Sequence, residues 1–169
     1  FMGEQSIEAN MTRILPGYEQ ETMIKETALP DYQAASLEVA GDRPVDGMRE
    51  LRLHLQSGSA AEYVNLLVAR DAGVTAASVN GFPVELRDVN ETAATGSDAA
   101  SWWRWRIYGL PKQGAEIMVI MEPEKPLQVR IVEVNYGLPP GAPSRPANSM
   151  PRPYTWSDSV VTFQAVTLE

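Results

Sequence analysis

The chain has 169 residues, with 14 Lys+Arg against 22 Asp+Glu, one His, no Cys and a formal net charge of −8. That length is ample for one hydrophobic core, and a hydrophobic fraction of 44% argues for a folded domain rather than a disordered one. The absence of Cys excludes disulfides, thiol catalysis and Cys-based zinc sites, one His excludes a His-rich metal site, and the acidic balance argues against a nucleic-acid groove.

Residues 1–31 are mixed and polar, punctuated by Pro16-Gly17 and Pro30, with helical spacing only at Met11, Ile14 and Leu15. They read as an irregular N-terminal arm packed along the body, with one strand around Glu21 to Thr27. There is neither a basic n-region nor an apolar h-region at the start. No apolar run approaches the roughly 20 residues that cross a bilayer, so no membrane insertion by this segment is expected. Because the sequence opens on Phe1, the chain is expected to be a piece of a longer one.

From Tyr32 to Glu169 the period is two, and this part reads as one domain. Leu37 and Val39 alternate with Glu38, and Leu51, Leu53 and Leu55 alternate with Arg52 and His54, the signature of a half-buried strand. Tyr63 to Ala69 and Val74 to Val79 follow, the second closing in Asn80-Gly81, a strong hairpin signal. Phe82 to Leu86 is the return strand, and Pro83 places it at a sheet edge. Residues 90–100 are small and polar and read as a surface loop. Trp102 to Tyr108, Glu116 to Glu122 and Leu127 to Tyr136 are strands separated by Pro-containing turns. Six prolines lie in Gly137 to Pro153, a stretch that cannot enter a sheet interior because proline donates no ladder hydrogen bond. It reads as a fixed loop between sheets rather than an exposed polyproline recognition peptide, with Arg145 and Asp158 as a clasp across it. Ser159 to Leu168 alternates again. About eight or nine strands and no long helix predict an all-β, two-sheet antiparallel β-sandwich.

Candidate chemistry is sparse. His54 lies on the polar face of its strand, with no Ser or Cys nucleophile motif beside it, so it reads as an outward strand residue. The acidic pairs Asp42/Asp46 and Glu122/Glu124 lack the spacing of a calcium-binding loop, and no pair of carboxylates is marked for glycoside hydrolysis. The densest feature is Ser101 to Gly109, SWWRWRIYG. Trp103, Trp105 and Ile107 share one strand face, an expected core face. Trp102, Arg104, Arg106 and Tyr108 share the other, which offers either a ligand or partner surface or a cation–π ladder over the sheet.

The C-terminal string resembles the extreme C-terminus of bacterial membrane-bound zinc metallopeptidases of peptidase family twenty-eight, which are similar to the endoplasmic-reticulum metallopeptidase. The matching residues are Tyr136-Gly137-Leu138-Pro139, Arg145-Pro146, Met150-Pro151-Arg152-Pro153 and Ser157-Asp158-Ser159. Trp105-Arg106-Ile107-Tyr108-Gly109-Leu110-Pro111 and the strand Arg49 to Leu53 fit the same tail, so the likeness runs from Arg49 to Leu168. In that family a zinc aminopeptidase domain precedes membrane-spanning helices and a soluble tail domain. The resemblance therefore implies a non-catalytic accessory domain, with the zinc and its ligands in the parent's catalytic domain and no cofactor in this chain. It implies an extracytoplasmic, periplasmic position, tethered to the membrane through the parent, and partners in the catalytic domain or other proteins. The residues alone leave two other readings open: a carbohydrate-binding module stacking sugars on Trp102 and Tyr108, and a hydrolase with unmarked paired carboxylates.

Overall fold

The computed structural model describes residues 33–59, 61–86, 101–137 and 159–169. The arm 1–31, the loop 90–100, the proline-rich stretch up to residue 158 and the Arg145–Asp158 clasp lie outside the described residues. Nine strands are described: β1 (Ser36–Val45), β2 (Met48–Gln56), β3 (Tyr63–Ala69), β4 (Ala76–Val79), β5 (Phe82–Pro83), β6 (Trp102–Tyr108), β7 (Ala115–Met121), β8 (Leu127–Tyr136) and β9 (Ser159–Leu168). They form two antiparallel sheets, ordered β1-β2-β7-β4-β5 and β6-β3-β8-β9, an all-β sandwich. Among the described residues the helical content is one 3-10 turn, Arg70–Ala72, and no helix is long and apolar enough to cross a membrane.

The pairing explains the topology. β2 lies beside β7 in one sheet, and β3 lies beside β8 in the other. Both successive connections, β2 to β3 and β7 to β8, therefore cross between the sheets, and the two layers are interlocked at their centre. Leu51, Leu53 and Leu55 of β2 meet Ile117, Val119 and Met121 of β7 and Val64, Leu66, Val68, Val129 and Ile131 of the opposite sheet in one buried cluster. Period two is what allows this, because it puts every second side chain on the inner face.

Two hairpins are closed by two-residue turns in the left-handed region. Asn80 and Gly81 adopt φ of 50° and 81°, as the Asn-Gly signal predicts. Asp46 and Gly47 do the same, at 50° and 79°, and close β1 onto β2. Asp46 is thus a turn residue of an Asp-Gly signal rather than half of an acidic pair with Asp42. Asp42 instead binds Arg49 across the hairpin at 2.8 Å, while Glu122 pairs with Lys125 at 2.9 Å. Three further expectations need correction. Val39 is opposite the inward Leu53, as Leu37 is opposite Leu55, but on the outermost strand of its sheet it is 49% exposed rather than buried. The return strand after Asn80-Gly81 is only Phe82–Pro83, although Val84 still donates to the Ala77 carbonyl at 2.9 Å. The strand preceding that turn starts at Ala76, since Val74 follows the 3-10 turn and Gly73, whose φ of 64° ends it.

The β1–β2 hairpin carries a pH signature. Arg49 donates to Asp42 and lowers its carboxyl pKa, and hydrogen bonds from Arg43 and then Arg52 lower that of Glu50. Carboxyls that ionise more readily in the folded than in the unfolded chain stabilise fully above the unfolded pKa, and that contribution is lost as pH falls through the folded value. Thermal melts should be flat from neutral pH to about pH 5 and fall steeply below about pH 4. Glu50→Gln should flatten part of that acid limb; an acid limb identical to that of the parent chain would show that the hairpin contributes nothing to it.

Candidate functional site

The outer face of the β6-β3-β8-β9 sheet carries the densest chemistry. Alternation puts Trp102, Arg104, Arg106 and Tyr108 of β6 there, together with Tyr63, Asn65 and Leu67 of β3 and Arg130, Val132, Val134 and Tyr136 of β8. Strand β3 is buried on both faces, which its near-continuous apolar run YVNLLVA reflects. The inner set behaves as expected: Trp105 is buried, and Trp103 and Ile107 pack against the core.

The four candidate residues of β6 divide into two groups. Trp102 is only 6% exposed, and the Arg130 guanidinium lies 4.1 Å from its ring centroid. A sugar stacked on that ring must first displace Arg130, so Trp102 and Tyr108 do not form a ready platform, and they stand at opposite ends of the strand. Arg104 is half-buried; burial and then the neighbouring Arg106 guanidinium lower its pKa below the ordinary arginine value. Arg106 and Tyr108, in contrast, belong to a cluster. The Tyr63 ring lies 5.6 Å from that of Tyr108 and 6.4 Å from that of Tyr136, centroid to centroid. The Arg106 guanidinium stands 4.9 Å over the Tyr63 ring, and its Nε donates to Asn65 Oδ1 at 2.9 Å. Tyr63 is thus the buried centre, and Tyr108, 68% exposed, and the exposed Tyr136 form its rim.

Sequence reasoning missed Tyr63, Asn65 and Tyr136 as members of this cluster. Their signal was the cross-strand register: Tyr63 pairs with Tyr108 and also with Val134, which brings three separate segments to one end of the sheet. It also missed Glu133, which sits on the inner face of β8 with 0% exposure. A charged residue at an inward position of an otherwise apolar strand was the available sign. The carboxylate accepts hydrogen bonds from Ala35 N at 2.8 Å, Ser57 Oγ at 2.5 Å and Thr162 Oγ1 at 3.0 Å. These partners precede β1, follow β2 and lie on β9, so Glu133 is structural and ties the two sheets together at one end.

His54 is held against the β6–β7 turn: a Cβ at Gly114, where φ is 84°, would meet its ring at 2.8 Å. This is a packing contact, as an outward strand residue makes. Among the described residues no group of three or more His, Cys, Asp or Glu is placed to hold a metal ion. No protein-family model, no curated protein and no solved structure matches the chain. The metallopeptidase resemblance therefore rests on the motif residues themselves.

Proposed function

We propose that this chain is a non-catalytic accessory β-sandwich of a larger, membrane-tethered protein similar to zinc aminopeptidases, placed on the extracytoplasmic side. Its working surface is the Tyr63–Arg106–Tyr108–Tyr136 cluster, which docks on the parent's catalytic domain or on another protein. The observation that carries the docking role is the exposure of Tyr108 and Tyr136 around a buried Tyr63 capped by Arg106. Tyrosine and arginine dominate binding hot spots, because they offer large contact area and a polar end at low entropic cost. The motif residues from Trp105 to Pro111 and from Tyr136 to Pro139 support the parentage, and both runs begin in or beside this cluster. The parent would hold the zinc; the chain itself has the role of positioning substrate, partner or protomer.

An antibody raised against this chain tests the parentage in fractions of the source cell. The expected result is a membrane band much heavier than 18.6 kDa. A soluble band at the chain's own mass would overturn it. In the full-length protein, replacing both rim tyrosines (Tyr108→Ala with Tyr136→Ala) should weaken partner docking by about 2 kcal/mol or more, with melting unchanged because both rings are exposed. Docking that survives the double substitution would remove the cluster as the working surface.

A further inference from the structure

Asn80-Gly81 is the one Asn-Gly step in the sequence, and it forms the tip of the β4–β5 hairpin with both residues at positive φ, 50° and 81°. The turn needs this pair, but the pair also carries a reaction of its own. An asparagine side-chain amide is an electrophile that a five-membered ring closure can join to the next main-chain nitrogen. A following glycine leaves that nitrogen uncrowded. Apart from its chain neighbours, no atom lies within 4 Å of the place a Cβ at Gly81 would take.

Two bonds hold the tip. Asn80 N donates to the Glu116 carbonyl at 2.7 Å, and Glu116 N donates to Asn80 Oδ1 at 2.9 Å. They commit the side chain to β7, so the amide carbon can close on the Gly81 nitrogen only once the tip comes off that strand. Little resists such an opening. Among the described residues β5 pairs only Phe82 with Val79 and Pro83 with Ser78, and Val84 N adds one bond to the Ala77 carbonyl at 2.9 Å. Phe82 is 76% exposed and anchors nothing. A segment held by so few contacts opens well below the free energy of global unfolding.

We propose that Asn80 is a site of spontaneous deamidation, governed by opening of the β4–β5 hairpin, and that its iso-aspartyl product releases β5 from the sheet. Gly81 N attacks Asn80 Cγ, and the new C–N bond closes a succinimide. The side-chain nitrogen departs as ammonia, taking the proton that Gly81 N gives up. Water then opens the ring, so the net change is hydrolysis of an amide. Addition at the side-chain carbonyl leaves aspartate; addition at the main-chain carbonyl leaves iso-aspartate, whose main chain runs through the former side chain. Aspartate still offers an oxygen to Glu116 N and keeps the turn. Iso-aspartate adds a carbon to the main chain of a two-residue turn and shortens the acceptor arm, so Val79 and Phe82 no longer face each other. Val84 and Leu86, which pack against the core from just beyond β5, lose their anchor with it. This chemistry is independent of the docking role proposed above.

The test is to age the chain in mildly alkaline buffer at body temperature and follow Asn80 by peptide mapping, scoring iso-aspartate with an iso-aspartyl methyltransferase. The expected result is acid in place of amide at Asn80, mostly as iso-aspartate, at a rate at least about tenfold below that of the denatured chain. Urea below the unfolding transition should scarcely alter that rate, because local opening exposes little surface. In the iso-aspartyl fraction the Val84 amide should lose its protection from hydrogen exchange, while those of Leu53 and Val119, on inner strands of the same sheet, keep theirs. Asn80→Asp should melt like the parent chain with the Val84 amide protected, which separates the added main-chain carbon from the added charge. Equal rates in the folded and denatured chain would overturn the inference. So would an unchanged Asn80 in the folded chain after many half-lives of the denatured one, or a rate that climbs with urea in step with global unfolding. A Val84 amide still protected in the iso-aspartyl fraction, or already unprotected in Asn80→Asp, would overturn the release of β5.

Discussion

Replacing Glu133 by Ala should cost about 3–5 kcal/mol, a large share of the stability of a domain this size. The carboxylate is completely buried and is the common acceptor for Ala35 N, Ser57 Oγ and Thr162 Oγ1. Its removal leaves three donors facing a cavity, and each unsatisfied buried group costs about 1–3 kcal/mol, less what relaxation and water recover. The Ser57 hydroxyl is held at a crossover as well, since Ser59 N and Ala61 N donate to it at 3.3 and 3.1 Å. Losing its acceptor therefore loosens the β2–β3 connection. Denaturant melts should show the full loss for Glu133→Ala and a smaller one for Glu133→Gln, which retains one acceptor oxygen and the side-chain volume. A loss below about 1 kcal/mol for Glu133→Ala would show that the network is replaced at no cost by solvent.

Trp105→Ala should cost about 3–5 kcal/mol for a different reason. The ring is 3% exposed and belongs to the main hydrophobic cluster. The cost is loss of apolar burial plus a cavity, not loss of a hydrogen bond, since the indole Nε1 has no partner among the described residues. Trp105→Phe should accordingly recover most of the stability. The comparison separates the two mechanisms: Glu133 responds to the number of acceptor oxygens retained, Trp105 to the volume retained. Trp105→Ala melting like the parent chain would mean that the ring lies outside the cooperative core.

Several of these features are legible in the amino-acid order alone. The alternation of Leu51, Leu53 and Leu55 needs only the two-residue period of a strand and one wet face, and Asn80-Gly81 needs only the preference of a hairpin turn for positive φ. The inner and outer sets of Trp102 to Tyr108 separate correctly on the same ground. Local pattern fails where it meets something distant. Val39 has the spacing of a core residue, but it lies on the outermost strand of its sheet and stays 49% exposed. Trp102 has the position of an exposed platform, but Arg130, from another strand, covers its ring.

Period and single-residue backbone preference suffice to make this chain an all-β protein with short strands, to set most of its turns and to divide its side chains between faces. They leave open which strands become neighbours and which become edges, and that choice belongs to the folded molecule as a whole. It places Tyr63 between Tyr108 and Tyr136 and gives Glu133 three donors from three separate segments. Such contacts join residues up to 98 positions apart, as Ala35 and Glu133 are. No local signal carries them, because they depend on the strand pairing that buries apolar surface while bringing polar groups of distant segments together.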